Sequence, residues 1–305
     1  MISLKSLQRA ALTGIMALAL LSTASQAQQS YKSPEEAAAA LAAAVKSGPS
    51  DILKVLGKAA DDIVASGDEV ADADTRQRFT SMYDTKHSIK AEGNKKATLM
   101  LGSDDFPFPI PLVNTKSGWE FDTDEGRIEV LYRRIGRNEL DAIQTCLAYA
   151  DAQNEYADKD RGEGAGVYAQ RIVSTPGKKD GLFWRDDADP SPLGALAAEA
   201  SAEGYKAGEG GPTPYHGYYF RILKGQGADA PGGVLNYVVK GKMIGGFALI
   251  AWPAEYGNSG VMTFLVNHAG TVYQKDLGKR TEAIAMRVTR FDPDQTWKKV
   301  DAAKP

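Results

Sequence analysis

The run Phe247-Ala248-Leu249-Ile250-Ala251-Trp252 is apolar without a break, between Gly245-Gly246 and Pro253. A half-buried strand alternates apolar and polar residues, so a strand with no polar position is expected to be covered on both faces. The last third of the chain therefore reads as a sheet with this strand inside it. The strand that holds the run is expected over Met243 to Trp252, and further strands are expected over Tyr218 to Leu223, Val234 to Val239, Val261 to Val266 and Thr271 to Gln274. Asn267-His268-Ala269-Gly270 joins the last two as a hairpin, and Phe291-Asp292-Pro293-Asp294 turns toward Trp297 and a charged tail.

Helical signals come earlier. Ser33-Pro34-Glu35-Glu36 supplies an N-cap, a proline at the first helical position and a capping-box glutamate for an Ala-rich helix over Ala37–Val45, ended by Gly48-Pro49. Short helices are expected over Asp51–Gly57 and Asp72–Tyr83. The period then changes to two: His87–Glu92 and Ala97–Leu101 flank a Gly93-Asn94 turn. Phe106-Pro107-Phe108-Pro109-Ile110-Pro111 reads as an extended edge, because proline donates nothing to a ladder. Val113 and Trp119-Glu120-Phe121 close a small sheet. Helices followed by a few antiparallel strands make the order of a small α+β cone, similar to the nuclear-transport-factor-2-like fold.

Asp122 to Asp124 cap the next helix, where Ile128, Leu131, Tyr132 and Ile135 repeat at helical spacing. Gly136 is expected to interrupt it and Asn138 to cap a longer helix reaching Tyr156, with Leu140, Ile143, Leu147 and Ala150 as its apolar stripe. Residues 157–217 are turn-rich apart from a short Ala-rich helix over Pro192–Ala202. The expected organisation is α+β throughout: residues 28–123 form the cone-like unit, and residues 124–305 form a long helix packed on an antiparallel sheet.

The first 27 residues read as a secretory signal peptide. Lys5 and Arg9 make a positive start, Ala10–Leu21 is the apolar core, and Ser25-Gln26-Ala27 places small residues at the cleavage positions. The core is shorter than the roughly 20 residues a membrane-spanning helix needs, and no cysteine follows it to carry a lipid. The expectation is a periplasmic or secreted protein of the bacterial envelope, with no stable anchor after signal removal. Cys146 is the only cysteine, so no intramolecular disulfide forms; its place in a helical pattern favours a buried thiol over a nucleophile. Formal charge is −3 and no Lys/Arg run exists, which argues against a nucleic-acid partner.

Several segments together carry a family resemblance. They are Asp105–Pro111, Arg133-Arg134-Ile135-Gly136-Arg137-Asn138-Glu139-Leu140, Thr175–Leu182, Tyr215–Leu223, Gly245–Gly257 and Gly260–Phe264. On them the chain resembles the bacterial family designated domain of unknown function 2950. That likeness implies an exported protein without an established activity, and it transfers no catalytic residue. The second half also resembles the globular heads of pilin-like proteins, through Asn138-Glu139, Ala152-Gln153, Tyr156, Tyr168-Ala169, Gly217-Tyr218, Trp252-Pro253-Ala254 and Gly260 to Phe264. Pilins keep an apolar N-terminal helix joined to this one, whereas here a whole unit intervenes, so the likeness implies a shared fold and not a pilus subunit.

Chemistry-bearing patterns are sparse. Asp158-Lys159-Asp160-Arg161-Gly162-Glu163-Gly164 has alternating acids but lacks a third close ligand and a closing glutamate, so it reads as a solvated helix-end loop before a calcium loop. Gly257-Asn258-Ser259-Gly260 has the look of a nucleophile loop, but no histidine stands in a context to activate Ser259. His87, His216 and His268 are too scattered for a zinc site. No phosphate loop or metal-binding motif occurs, so neither a cofactor nor a metal is expected. The best binding hint is aromatic: Tyr215, His216, Tyr218, Trp252 and Tyr256 cluster around the strands and turns of the second unit, as suits a glycan or an extended peptide. The reading is a non-enzymatic binding or interaction protein whose partner is an envelope protein or glycan. The alternatives are an envelope hydrolase assembled from distant residues, with His216 as base and carboxylates such as Glu255, and a small-molecule pocket in the first unit.

Overall fold

The computed structural model describes residues 28–186, 188–205 and 213–301. The expected signal peptide lies outside these residues. Among the described residues no helix is long and apolar enough to cross a membrane.

Helix α1 (Pro34–Ser47) begins where Ser33 Oγ accepts the Glu36 amide at 3.2 Å, and Glu36 reaches back to the Lys32 amide at 3.1 Å. It ends at Gly48, whose φ of +119° suits glycine. Helix α2 (Pro49–Leu56), the single turn α3 (Asp61–Val64) and α4 (Glu69–Thr85) follow. Together they cover one face of an antiparallel sheet made of β1 (His87–Glu92), β2 (Lys96–Leu101), β3 (Phe106–Pro107), β4 (Leu112–Asn114) and β5 (Trp119–Phe121), ordered β1-β2-β4-β5 with β3 on the end of β2. The β1–β2 register runs from His87 opposite Leu101 to Glu92 opposite Lys96, so the connection is three residues, Gly93-Asn94-Lys95, one more than the expected Gly93-Asn94 turn. Ala97, Leu99 and Leu101 alternate into the core; the proline-rich run pairs with β2 through Phe106 and Pro107, and the Phe108 amide donates to Leu99 O at 2.8 Å. Small α1 residues let Leu41 sit close against Ile52, Val55, Leu112 and Phe121.

Helix α5 (Thr123–Ala157) joins the two halves as one rod of 35 residues, about 52 Å long at the usual rise. The expected break at Gly136 is absent, and Asn138 is not a cap: its buried amide donates to Ser259 O at 2.9 Å. A mid-helix glycine costs only about 1 kcal/mol, less than the packing α5 gains at both ends. In its first turn Thr123 donates to Leu56 O at 2.6 Å, and Gly126 lies so close to Ile110 that an added Cβ would stand 2.5 Å from the Ile110 Cα. The expected apolar stripe is met at Ile143 and Ala150, with Leu147 partly buried, but not at Leu140. Leu140, Ile128 and Tyr132 are exposed, while Ala142, Ile143, Cys146, Tyr149, Ala150, Gln153 and Tyr156 are buried. The buried face of α5 mixes small residues with Ile143 and the rings of Tyr149 and Tyr156, which join the core of the second sheet.

After an irregular stretch and α6 (Gly194–Glu203) come β6 (Tyr218–Leu223), the short strands β7 (Gly225–Gln226), β8 (Leu235–Asn236), β9 (Val238–Val239) and β10 (Lys242–Met243), and then β11 (Ala248–Pro253), β12 (Met262–Asn267), β13 (Val272–Asp276), α7 (Thr281–Ala285) and β14 (Lys298–Lys299). The second sheet is antiparallel, ordered β14-β13-β12-β11-β6. All of β11 is buried, as its unbroken apolar sequence requires. Tyr149 donates to Ala248 O at 3.2 Å on the α5 side. On the other side Arg221, directly opposite Ile250, donates to the carbonyls of Ala285, Met286 and Val288. The expected strand over Met243–Trp252 is shorter at its start: Met243 pairs in β10, and the chain turns at Gly245-Gly246 before Ala248. The protein is thus a mixed α+β chain with a long helix on a C-terminal antiparallel sheet.

Candidate functional site

The first four residues of the turn into β6 explain the site. Tyr215 and Tyr218 exchange main-chain hydrogen bonds at 2.9 and 3.1 Å, which forces His216 to a left-handed φ of +48° and Gly217 to +74°. Gly217 has no room for a side chain, since an added Cβ would lie 2.6 Å from the Asn138 amide and 2.9 Å from Ser259 Cβ. Strain of this kind in a non-glycine residue persists only where its surroundings over-determine it. Here they do. His216 Nδ1 lies 3.0 Å from Asp141 Oδ2 on α5, and Nε2 lies 2.9 Å from Glu203 Oε2 at the end of α6. Its ring stacks on Tyr205 at 5.8 Å and meets Tyr215 edge-on at 4.2 Å. Burial alone would lower the histidine pKa, but the hydrogen bond and charge of Asp141, joined by Glu203, outweigh it and hold the pKa above its usual value.

Beneath this clasp lies Asp68, a carboxylate with 2% exposure. Its Oδ1 caps α4 by accepting the Ala71 amide at 3.0 Å, and its Oδ2 accepts both the Tyr205 hydroxyl at 2.8 Å and the Gly217 amide at 2.9 Å. One carboxylate therefore ties the helical layer of the first half to the entry of β6 in the second. Arg134 and Asn258 make a second tie: the guanidinium donates to the carbonyls of Asp62 at 2.9 Å and Ile63 at 2.6 Å and to Asn258 Oδ1, and the Asn258 amide donates to Ala65 O at 3.2 Å.

The clasp stands beside a groove of about 1120 Å³. Thr145 and Tyr149 of α5 form one wall, Leu196 and Ala197 of α6 another, and the edge strand β6 contributes Tyr219 and Phe220. Phe183, Trp184 and Leu193 line the part that lies against the irregular segment. This volume is at or above the range of about 300–1,000 Å³ usual for ligand sites. The lining is mostly apolar, with few polar groups. Among them is Ser191, 7% exposed, whose Oγ has no partner among the described residues.

The five aromatic candidates separate in space. Tyr215 and Tyr205 line the groove, and His216 packs against both rings while Asp141 and Glu203 hold its nitrogens. Tyr218 is completely buried, with its hydroxyl donating to Met262 O at 3.0 Å and its ring against Phe264 at 5.8 Å. Trp252 lies on the opposite face of the sheet, under Arg221 at 5.7 Å and beside Tyr219 at 5.8 Å. Tyr256 is a partly exposed turn residue that donates to Asp276 at 3.2 Å. Asp68, Asp141, Glu203 and Tyr205 carry no recognisable pattern in the sequence. Their only prior signal is the aromatic setting of His216.

The other chemical candidates are occupied by local structure. Ser259 is fully buried, and its Oγ accepts the Glu255 amide at 2.9 Å. Glu255 accepts from the Asn258 amide at 2.8 Å. Asp160 spends Oδ1 on the amides of Gly162 and Gly164, both at 2.8 Å, which holds its pKa below the usual carboxylate value. Among the described residues no group of three metal-ligating side chains converges.

No curated protein and no solved structure matches the chain. The family model described as a protein of unknown function, DUF2950, matches residues 28–300. Because that match covers nearly the whole chain, the protein belongs to the DUF2950 family.

Proposed function

We propose that this chain is an exported binding protein of the bacterial cell envelope, without catalysis of its own, and that its ligand occupies the groove between α5, α6 and β6. The groove itself supports this reading: it is larger than a buried packing defect, apolar along its walls and polar at a few fixed points. Tyr215 and Tyr205 form its aromatic margin with His216 packed against them, which retains part of the aromatic cluster expected from the sequence. The two units, residues 28–123 and 124–305, then divide the work, the first bracing the clasp through Asp68 and the second holding the ligand.

The geometry gives little support to His216 as a general base. A base needs a free ring nitrogen near the proton it takes, and both nitrogens here face carboxylates that favour the protonated ring. Glu255 and Ser259 are engaged with their own turn.

The test uses immobilised mature chain and bacterial envelope extract. Ala197→Trp fills the groove, and Ala195→Trp places the same ring on the solvent side of α6. A protein or glycan retained by the unmodified chain and by Ala195→Trp but lost from Ala197→Trp is the expected result. Equal retention by all three, or retention of nothing, refutes the reading.

A further inference from the structure

Strand β6 is the edge of the second sheet, and its hydrogen-bonding phase is fixed at one end. Ala254 donates to Gly217 O at 2.9 Å, so in this antiparallel ladder Tyr219, Arg221 and Leu223 turn their main-chain groups toward β11. Tyr218, Phe220 and Ile222 turn theirs outward. Those of Tyr218 are taken by Tyr215. Those of Phe220 and Ile222 have no partner among the described residues, and Phe220 lines the groove.

Natural sheets protect their edges with charge, bulges or covering elements. The opposite edge follows that rule, since β14 is Lys298-Lys299, both exposed. Edge β6 has one charged residue, Arg221, and it points to the α7 face. What β6 has instead is a groove with α6 standing off from it, and none of the α6 residues is buried. The end of the groove where α6 finishes is acidic: Asp141 of α5 and Glu203 of α6 hold the two nitrogens of His216, and Glu199 adds its charge beside Tyr215.

We infer that the groove receives an extended polypeptide segment that adds to β6 as a sixth strand, with a basic residue or its amino terminus toward Asp141, Glu199 and Glu203. Main-chain hydrogen bonds to Phe220 and Ile222 supply affinity that does not depend on sequence. The apolar walls accept alternate side chains, and the acidic end sets direction. The inference rests on the groove reading above and names its ligand class.

The experiment uses the mature chain and a synthetic peptide, Lys followed by alternating Val and Thr, blocked as a C-terminal amide. Hydrogen exchange at the Phe220 and Ile222 amides is expected to be fast in the free protein, while Tyr219 and Arg221 are protected, and to slow when peptide is added. N-methylation of every second peptide amide keeps the side chains but removes the edge donors, and binding should weaken about tenfold or more. Replacing the peptide lysine by glutamate should also weaken it. In the protein, Ile222→Pro removes an outward N–H that the β11 ladder does not use, which an edge strand tolerates. Ile222→Ala trims the same side chain but keeps that N–H. Weaker peptide binding by the proline variant than by the alanine variant supports strand addition; equal binding overturns it. No change in exchange at Phe220 and Ile222 also overturns it, as does full affinity of the N-methylated peptide. Anilinonaphthalene sulfonate separates the two levels: a dye that binds the unmodified chain but not Ala197→Trp sustains the groove reading even where the peptide fails.

Discussion

Asp68 is the residue on which the junction between the halves turns, and its worth can be worked from its partners. Asp68→Ala removes the α4 cap, worth about 1 kcal/mol. It also strips the Tyr205 hydroxyl and the Gly217 amide of a charged acceptor, at about 1.5–3 kcal/mol each. The contributions share one carboxylate and do not add in full, so the expected loss is about 4 kcal/mol, a large part of a total stability of about 5–15 kcal/mol. At roughly 2–4 °C per kcal/mol for a chain of this size, the melting temperature should fall by about 12 °C. Asp68→Asn retains an oxygen for the cap, but its amide nitrogen cannot accept from Tyr205 or Gly217. It keeps only the cap, so its loss should be about three-quarters as great, about 3 kcal/mol. The assay is urea unfolding of the mature chain followed by fluorescence, with hydrogen exchange at Gly217 as the local readout. Exchange at Gly217 should rise in both variants. A loss under about 1 kcal/mol for Asp68→Ala, or an Asp68→Asn variant within about 1 kcal/mol of the unmodified chain, would refute the assignment of Oδ2 to the junction.

Two further predictions follow from side-chain environments. The His216 pKa is raised in the folded state, so the clasp contributes fully below the ordinary histidine range near pH 6.5 and is lost as pH rises through the raised folded value. His216→Asn keeps a residue that tolerates a positive φ; its melting temperature should fall short of the unmodified chain's at pH 5.5 and converge with it in alkaline buffer, and a gap that does not change with pH would contradict the ion-pair reading. Cys146 is fully buried and burial pushes its thiol up to about 12, so a thiol reagent should label it only in denaturant, whereas stoichiometric labelling of the native chain would show that α5 opens.

The elements were largely legible from local pattern. The Ser33–Glu36 box starts α1, Gly93-Asn94 marks where β1 turns into β2, and the unbroken run at Phe247–Trp252 demands two covered faces. Each rests on interactions within a few residues, which sequence encodes directly. Helix α5 shows where that ends. Gly136 and Asn138 carry the local signals of a break, but a helix is extended or stopped by what it packs against. The face that is buried is the one that joins the core of the second sheet. The site was legible only as a neighbourhood. His216 and Tyr215 stand where an aromatic cluster was expected, while Tyr218 entered the core and Trp252 took the other side of the sheet, because alternate residues of a strand point to opposite faces.

By itself the amino-acid sequence determined the α+β class, the order of the elements and the strand that had to lie inside. Tertiary structure alone decided that Asp68 meets Gly217 and that Asp141 and Glu203 meet His216, across separations of up to 149 residues, and that β6 ends the sheet with its outward amides beside a groove. Hydrogen bonds between residues so distant in the chain leave no periodicity to read, and an edge exists only once every other strand has found its neighbour.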